Sequence, residues 1–300
     1  MRVSHQEVFR TVACNINRPY EQMLKDEIQI ATGKRVNVPS DDPSAAERAV
    51  EVRSKLVAIG QFRKAIADAR SWLGHAETEL NRVEELLTRA KSLAVQGANG
   101  TLSAADRRAL AEEVDELLED LVAAANGTYN DRYVFAGSAT RLAPVVVRRD
   151  STGKIVQVSF QSNSGAVRRE IDADEYIDIR LPAHEIFGGD EGAFSALIQL
   201  RDALQNNRPD QVQATIGQVD KALEKSLEKR AEIGARITRL DHAQSRLDEQ
   251  ETQLTALLSD LEDVDVAQKV IDLQGHQMSY RAALAVGSVL IGESLLDYLG

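Results

Sequence analysis

The stretch that decides the fold runs from Val212 to Leu261 and reads VQATIGQVDKALEKSLEKRAEIGARITRLDHAQSRLDEQETQLTALLSDL. Alternating steps of four and three residues mark a seam of fifteen positions, of which eleven are apolar, and no proline interrupts it. This heptad spacing predicts one continuous helix, on the order of 75 Å long at about 1.5 Å per residue. We interpret the polar seam residues Arg230, Gln244 and Glu251 as setting helix register rather than as chemistry. Because the apolar face must leave water, we expect an antiparallel partner helix.

The partner is predicted within residues 43–96, which carry a second heptad seam. Asp42 can cap this helix and Pro43 occupies its first position, while the glycines of 97–100 end it. Small residues in the seam allow close approach of a neighbouring helix. The seam positions are Ile66, Ala69, Leu73, Ala76, Leu80, Val83, Leu87, Ala90 and Ala94.

A further helix is predicted to open at Ser103, where Asp106 completes a capping box, and to end at Asn126-Gly127. Its spacing gives one buried stripe. The stripe consists of Leu110, Val114, Leu117, Leu121 and Ala124.

Residues 132–208 have a different pattern, with short runs of β-branched and aromatic residues separated by turns. They predict a small antiparallel β insert, with a turn at 150–153 and a short helix at 194–205. The predicted strands are 133–135, 144–148, 155–160, 167–171 and 176–181.

Both ends of the chain are predicted to be helical and unusually apolar. Residues 282–291 are apolar almost all round, so this part of the helix must be covered by something. The N-terminal segment offers a matching face, although Pro19 is expected to kink its helix or start a new one. Together the two ends predict a paired helical arm with more apolar surface than one pair can hide.

These patterns predict a mainly α fold, a long antiparallel helical rod or coiled-coil bundle formed by the N- and C-terminal segments, with the central β insert. Five segments are expected along the chain. They are an N-terminal assembly arm (1–38), the first half of the rod (39–131), the β insert with its short helix (132–208), the second half of the rod (209–262) and a C-terminal assembly arm (263–300).

Composition excludes several classes of partner. Of the 300 residues, 36 are Lys or Arg and 47 are Asp or Glu, a formal charge of −11 that argues against nucleic-acid binding. The longest nearly apolar run is too short to cross a bilayer of about 30 Å, so no membrane insertion is expected. The polar residues 1–17 lack the apolar core of a cleaved secretory signal.

The sequence shows no arrangement of catalytic or metal-binding residues. The single cysteine, Cys14, rules out an internal disulfide, and the five histidines lie far apart with no ligand spacing. No phosphate-binding loop and no nucleophile elbow occur. We therefore expect no enzyme activity, no metal and no cofactor.

Several motifs resemble the bacterial flagellin superfamily. The first is ATGKRVN at 31–37 followed by PSDDP at 39–43, which resembles the superfamily's loop between the N-terminal helix and the rod-like shaft. Residues 99–127, and 261–267 with the closing apolar helix, are similar to further segments of these proteins. Within the superfamily, DRYVFAG at 131–137 and the opening MRVS are most similar to the branch at the hook–filament junction.

The resemblance implies a secreted, non-enzymatic motility protein that leaves the cell through the flagellar type III export channel. It implies a ring of copies of this chain between hook-associated protein 1 and the flagellin filament, and an export chaperone that covers the C-terminal helix beforehand. It places the shaft loop at Gly33, Lys34, Arg35, Ser40, Asp41 and Asp42. It places the assembly interface at Val12, Ile16, Met23, Ile30, Ile271, Met278, Ala285, Val289 and Leu296.

Two other functions stay open on the sequence. A flagellin that builds the filament itself would share both apolar ends, and only the run at 132–137 and the opening residues speak against it. A cytosolic coiled-coil scaffold would need only the two seams. An enzyme is the weakest alternative, because it would require a pocket with a titrating residue in the β insert.

Overall fold

The computed structural model describes the backbone of residues 5–189 and 191–299, and the side chains of residue 7, 9–189 and 191–289. Helices dominate, and all the strands lie between the third and fourth helices, which confirms the predicted fold class. The helices are α1 (His5–Thr32), α2 (Pro43–Gly97), α3 (Ala104–Ala125), α4 (Ala183–Ile186), α5 (Ala193–Gln205), α6 (Pro209–Glu262) and α7 (Val266–Leu299). The strands are β1 (Thr128–Tyr129), β2 (Arg132–Tyr133), β3 (Val145–Arg149), β4 (Ile155–Phe160), β5 (Arg168–Asp172) and β6 (Glu175–Asp178).

The chain forms two compact units. The terminal unit contains the residues up to Ala58 and those from Glu249 onward, and the central unit contains Ile59–Asp248. The long helices α2 and α6 each contribute residues to both units.

In the central unit α2 and α6 are antiparallel. Lys91 pairs with Asp220 at 2.6 Å and Arg70 with Asp241 at 3.2 Å, so positions later in α2 meet positions earlier in α6. All nine predicted seam residues of α2 from Ile66 to Ala94 are buried. The prediction that 212–261 and 66–94 belong to one helical bundle is therefore confirmed within this unit.

The seam of α6 is buried unevenly. Every seventh residue from Val212 to Leu247 is fully buried, whereas the positions between them, such as Ile216 and Ile237, are half-buried. Arg230 lies in the seam and pairs with Glu84 of α2, and it also donates to the side-chain oxygen of Asn81 at 3.1 Å. A charged pair in an otherwise apolar seam fixes helix register, because any slip would leave Glu84 buried without its partner.

Helix α3 begins as the sequence predicts. The Ser103 hydroxyl accepts from the Asp106 amide at 3.2 Å, and the Asp106 carboxylate accepts from the Ser103 amide. Of the predicted stripe, Leu110 is half-buried and the other four residues are buried. Buried Arg201 of α5 donates to Asp115 of α3 at 3.0 Å, which ties the short helix to α3.

The predicted β insert is three separate antiparallel hairpins, β1–β2, β3–β4 and β5–β6. Asp150 makes the expected turn, since its carboxylate accepts from the amides of Thr152 and Lys154 and Gly153 takes a φ of +88°. The predicted strand at 133–135 is shorter, because Val134 and Phe135 leave the ladder and enter the core. The short helix is found at 193–205 as expected.

Pro19 does not start a new helix. The α1 helix runs from His5 to Thr32 with Pro19 inside it. Proline removes one backbone hydrogen bond of the helix, a local cost that lateral packing of α1 on α7 can outweigh.

Candidate functional site

The terminal helices α1 and α7 pack on each other as an antiparallel pair, here called the terminal pair. The rings of Tyr20 and Tyr280 lie 5.5 Å apart, centroid to centroid. Nearer the chain ends, a Cβ on Gly287 would lie 3.1 Å from Val12 and 3.2 Å from Ile16. The missing side chain of Gly287 therefore allows α1 to approach α7 closely.

A buried carboxylate adds a polar contact to the terminal pair. Asp26 of α1 is only 2% exposed and accepts from Lys269 of α7 at 3.2 Å. Its other oxygen lies 2.6 Å from His276 Nδ1. Asp26 thus has two partners about two helical turns apart on α7, which fixes the axial register of the pair.

The predicted assembly residues divide by helix. Val12, Ile16, Met23 and Ile30 of α1 are half-buried. By contrast, the exposed fractions in α7 are 63% for Ile271, 67% for Met278 and 58% for Val289. The structure thus brings at least Val12 and Ile16 into the contact between the helices and leaves the α7 residues in solvent.

The exposed predicted residues of α7, together with Ala282, form one row, here called the outer stripe. Steps of three, four and seven place them on the same side of the helix. The outer stripe consists of Ile271, Met278, Ala282, Ala285 and Val289, all exposed. The predicted Leu296 and the opening motif of residues 1–4 lie outside the described residues and side chains.

Sequence reasoning missed exposed apolar residues on α1. Leu24 and Ile28 lie four residues apart and are 39% and 53% exposed. The signal was present as a second apolar spacing beside the predicted face of α1. Which of two such faces turns toward α7 depends on the partner helix and not on α1 alone.

The shaft loop between α1 and α2 is held by hydrogen bonds. The Asp41 carboxylate accepts from the amides of Asn37 and Val38 at 3.1 and 3.2 Å and pairs with Lys25 at 2.9 Å. These contacts, led by the bond from Lys25, hold the pKa of Asp41 below its usual range. Asp42 caps α2 as predicted, accepting from the Ala45 amide at 3.0 Å. Ser40 is exposed.

The loop also joins the end of α6. Gly33 turns the chain with a φ of +70°, and its carbonyl accepts from the Val264 amide at 3.1 Å. Arg35 donates from its side chain to the Leu261 carbonyl at 2.9 Å and pairs with Asp42 at 3.2 Å. The predicted loop residues thus link the start of α2 to the connection between α6 and α7.

Glu262 is the centre of this junction, and the sequence analysis did not single it out. Its side chain is 5% exposed and pairs with Lys34 at 2.9 Å and with Arg53 at 2.6 Å. Burial alone would raise the pKa of Glu262, but the hydrogen bonds and charges of Lys34 and Arg53 outweigh it and the pKa is lowered. We call Lys34, Arg53 and Glu262 the Glu262 network.

The described residues contain no group of His, Cys, Asp or Glu arranged to hold a metal ion. Cys14 is exposed and unpaired with another cysteine. Across the same described residues, none of the helices combines the length and the hydropathy that crossing a bilayer demands.

Two family models match the chain. The bacterial flagellin N-terminal helical region matches residues 3–140, and the bacterial flagellin C-terminal helical region matches residues 216–299. The chain belongs to the bacterial flagellin family. It is accordingly a structural component of the flagellum, one that assembles with other flagellar components.

Individual relatives include both hook-associated proteins and flagellins. The chain is 28% identical to flagellar hook-associated protein 3 of Escherichia coli K12, over 94% of this chain and 96% of that protein. It is 26% identical to flagellin FlaB2 of Treponema pallidum, over 86% of this chain and 85% of that protein. A solved flagellar hook-associated protein from Vibrio parahaemolyticus shares the fold with a TM-score of 0.67 at 24% identity, covering 74% of this chain and 100% of that one.

The β insert lies largely outside the matched regions of this flagellin-family chain. The family models leave residues 141–215 unmatched, which contain the hairpins β3–β4 and β5–β6 and helix α5. The terminal pair, the shaft loop and the seam of α2 all lie within the matched regions. The candidate assembly surface is therefore part of what the chain shares with its family.

Proposed function

We propose that this flagellin-family chain is the structural subunit that forms the junction ring between hook-associated protein 1 and the flagellin filament, and that it has no enzyme activity. Self-assembly and assembly with these two partners occur through the terminal helices. An export chaperone covers the C-terminal helix before the chain leaves the cell by the flagellar export channel.

The observation that carries this proposal is the outer stripe of α7. Ile271, Met278 and Val289 are more than half exposed although α7 is already paired with α1. Moving one such side chain out of water contributes up to about 1.5–3 kcal/mol, so a row of them favours lateral association. In such a subunit the two helices of the terminal pair cover each other, but the outer stripe is still exposed. Neighbouring copies packed side by side in a tube would cover it.

In this proposal the two sets of predicted residues have different roles. Val12, Ile16, Met23 and Ile30 hold α1 on α7 within one subunit, whereas the outer stripe contacts neighbouring subunits. The shaft loop and the Glu262 network keep the start of the terminal pair fixed to α2 and α6. Near-complete alignment with a hook-associated protein 3 supports the junction position.

Deletion of the gene in its bacterium tests the junction role. We expect hooks that end in hook-associated protein 1 and flagellin shed into the medium, because the filament then lacks its base. An antibody against the chain should label the proximal end of wild-type filaments. Filaments of normal length on the deletion strain would contradict the proposal.

A second candidate is a flagellin that forms the filament itself, which the likeness to the Treponema pallidum flagellin favours. A closed ring has a fixed number of copies, whereas a helical filament grows without limit. Counting copies per flagellum by quantitative mass spectrometry separates them. Labelling along the whole filament, with copy number rising with filament length, would favour this candidate over the junction role.

A further inference from the structure

The tripeptide Asn-Gly-Thr occurs twice, at 99–101 and at 126–128, each time within two residues of the end of a helix. Asparagine followed by glycine is the dipeptide in which the next backbone nitrogen most easily reaches the side-chain amide, because glycine has no Cβ. With the same three residues at both sites, any difference in reactivity comes from the fold.

The first site is open. Asn99 and Gly100 are exposed, and a Cβ on Gly100 would meet nothing within 4 Å. Within the described part of the chain, the Gly100 amide donates no hydrogen bond. Asn99 Oδ1 accepts from the amide and the hydroxyl of Thr101 at 3.1 and 2.9 Å. These two donors can stabilise negative charge that develops on Oδ1 when a nucleophile adds to Cγ.

We propose that Asn99 is a site of spontaneous deamidation with water as the only co-reactant. The Gly100 amide nitrogen loses its proton to solvent base and bonds to Asn99 Cγ, and the bond from Cγ to the side-chain nitrogen breaks. That nitrogen leaves as ammonia, and the remaining ring is a succinimide. One water then opens the ring at either carbonyl, giving aspartate or isoaspartate, with no change of oxidation state.

The second site is protected. Asn126 is half-buried, its Nδ2 donates to the Val145 carbonyl at 3.0 Å and its Oδ1 accepts from the Val145 amide at 3.1 Å. The Gly127 amide, which would be the nucleophile, already donates to the Ala124 carbonyl at 3.0 Å. Ring closure there would break the two hydrogen bonds donated by Asn126 Nδ2 and by the Gly127 amide, so the same tripeptide is unreactive while the unit is folded.

Deamidation at Asn99 changes a structural turn. The main-chain carbonyl of Asn99 accepts from Arg107 Nη2 at 2.7 Å, and Arg107 also binds the Gly97 carbonyl and the Asn207 side chain. Aspartate leaves this main chain in place and adds one negative charge to the turn. Isoaspartate routes the main chain through Cβ and Cγ, and the carbonyl group that accepts from Arg107 becomes a free carboxylate outside the main chain.

Incubation of the full chain at mildly alkaline pH, followed by peptide mass spectrometry, tests the proposal. We expect Asn99 to convert at least about tenfold faster than Asn126 in the folded protein, because the hydrogen bonds of the second site must first open. In denaturant the two sites should convert at similar rates. Equal rates in the folded chain, or faster loss at Asn126, would overturn the proposal.

The variant Gly100→Ala is the matched control. Gly100 has room for a Cβ and no positive φ, so the chain should fold normally, which the unfolding transition of Trp72 fluorescence checks. The added methyl hinders ring closure, and conversion of Asn99 should fall severalfold with Asn126 unchanged. Undiminished conversion would overturn the proposal. So would a sugar on Asn99 in chain purified from the bacterium, because the substituted nitrogen could not leave as ammonia.

Discussion

The seam of α2 in the central unit and the α1–α7 pair in the terminal unit both use apolar side chains at helical spacing, but they are completed differently. Leu73, Leu80 and Leu87 are fully buried, each surrounded by helices of the same chain. In the terminal pair, Ile271 and Met278 stay in solvent. One chain thus contains a helical core that is fully buried and an apolar surface that stays exposed in a single subunit.

The difference shows that helical spacing alone does not decide burial. A helix with one apolar face can be covered by other helices of its own chain, as α2 shows, whereas a helix that is apolar almost all round needs neighbours on every side. For α7 the described residues supply one neighbour, α1. The remaining apolar surface is what we propose to be the assembly interface.

The largest effect on stability is expected when a buried residue in the seam of α2 is truncated. Leu80→Ala should lower the free energy of unfolding of the central unit by about 2–5 kcal/mol, because it leaves a cavity in the seam. The single tryptophan, Trp72, lies in this unit and reports its urea transition by fluorescence.

The matched control is Met278→Ala, which removes an exposed side chain of the terminal pair. It should change the same free energy by less than about 0.5 kcal/mol. If both variants lowered the free energy of unfolding by similar amounts, Met278 would be buried in the isolated molecule. The contrast between the two regions would then be wrong.

A smaller effect is expected at the Glu262 network. Glu262→Gln should destabilise the terminal unit by about 1–3 kcal/mol, because Lys34 and Arg53 lose a charged acceptor. The cost stays below that of a fully buried pair, since both cations are 40% or more exposed and can return to water. Amide exchange over 249–262 at neutral pH measures it.

The contributions of Glu262 and Glu84 to stability should depend on pH with opposite signs. The lowered pKa of Glu262 gives stability that is present above the unfolded glutamate's pKa of about 4.3 and lost as the pH falls through the folded value. Burial, opposed by Arg230, raises the pKa of Glu84, so its contribution is present in acid and lost as the pH rises through the folded value.

Acid should therefore weaken the amide protection of residues 249–262, because Glu262 becomes protonated. Protonation of Glu84 should not weaken the central unit. Glu262→Gln should remove this part of the acid dependence, and Glu84→Gln serves as the control variant. An acid response of 249–262 that is identical in wild type and Glu262→Gln would assign it to other carboxylates.

The smallest effect on stability is expected at the outer stripe, where the effect on assembly should be complete. Met278→Asp should shift the free energy of unfolding by no more than about 0.5 kcal/mol and abolish incorporation into flagella, because a charge would be buried in the interface. Ser279→Asp adds the same charge at an exposed polar position about 100° around α7 from Met278, away from the outer stripe, and should still assemble. Electron microscopy of complemented deletion strains reads out assembly.

Failure of both aspartate variants would show that added charge on α7 is harmful in general. Normal assembly of Met278→Asp would remove the outer stripe from the interface. Together the two variants decide whether the outer stripe of α7 contacts neighbouring subunits.

Much of the fold followed from local patterns. The seam of α2, the capping box at Ser103 and the turn at Asp150 are where the sequence predicts them, because each depends on residues within a few positions of one another. The continuity of α1 through Pro19 was not predicted, since it depends on packing against α7. The Glu262 network was also missed, because Lys34 and Glu262 lie 228 residues apart in the chain.

The sequence by itself determined the long helices α2, α3 and α6 and the surplus of apolar surface at the chain ends, since periodicity and capping are local properties. Tertiary structure decided which face of α1 meets α7, that Asp26 is buried against Lys269 and His276, that Glu262 is buried against Lys34 and Arg53, and that the outer stripe stays exposed. Those outcomes depend on partners distant in sequence, and the free energy of a contact exists only once both partners are in place.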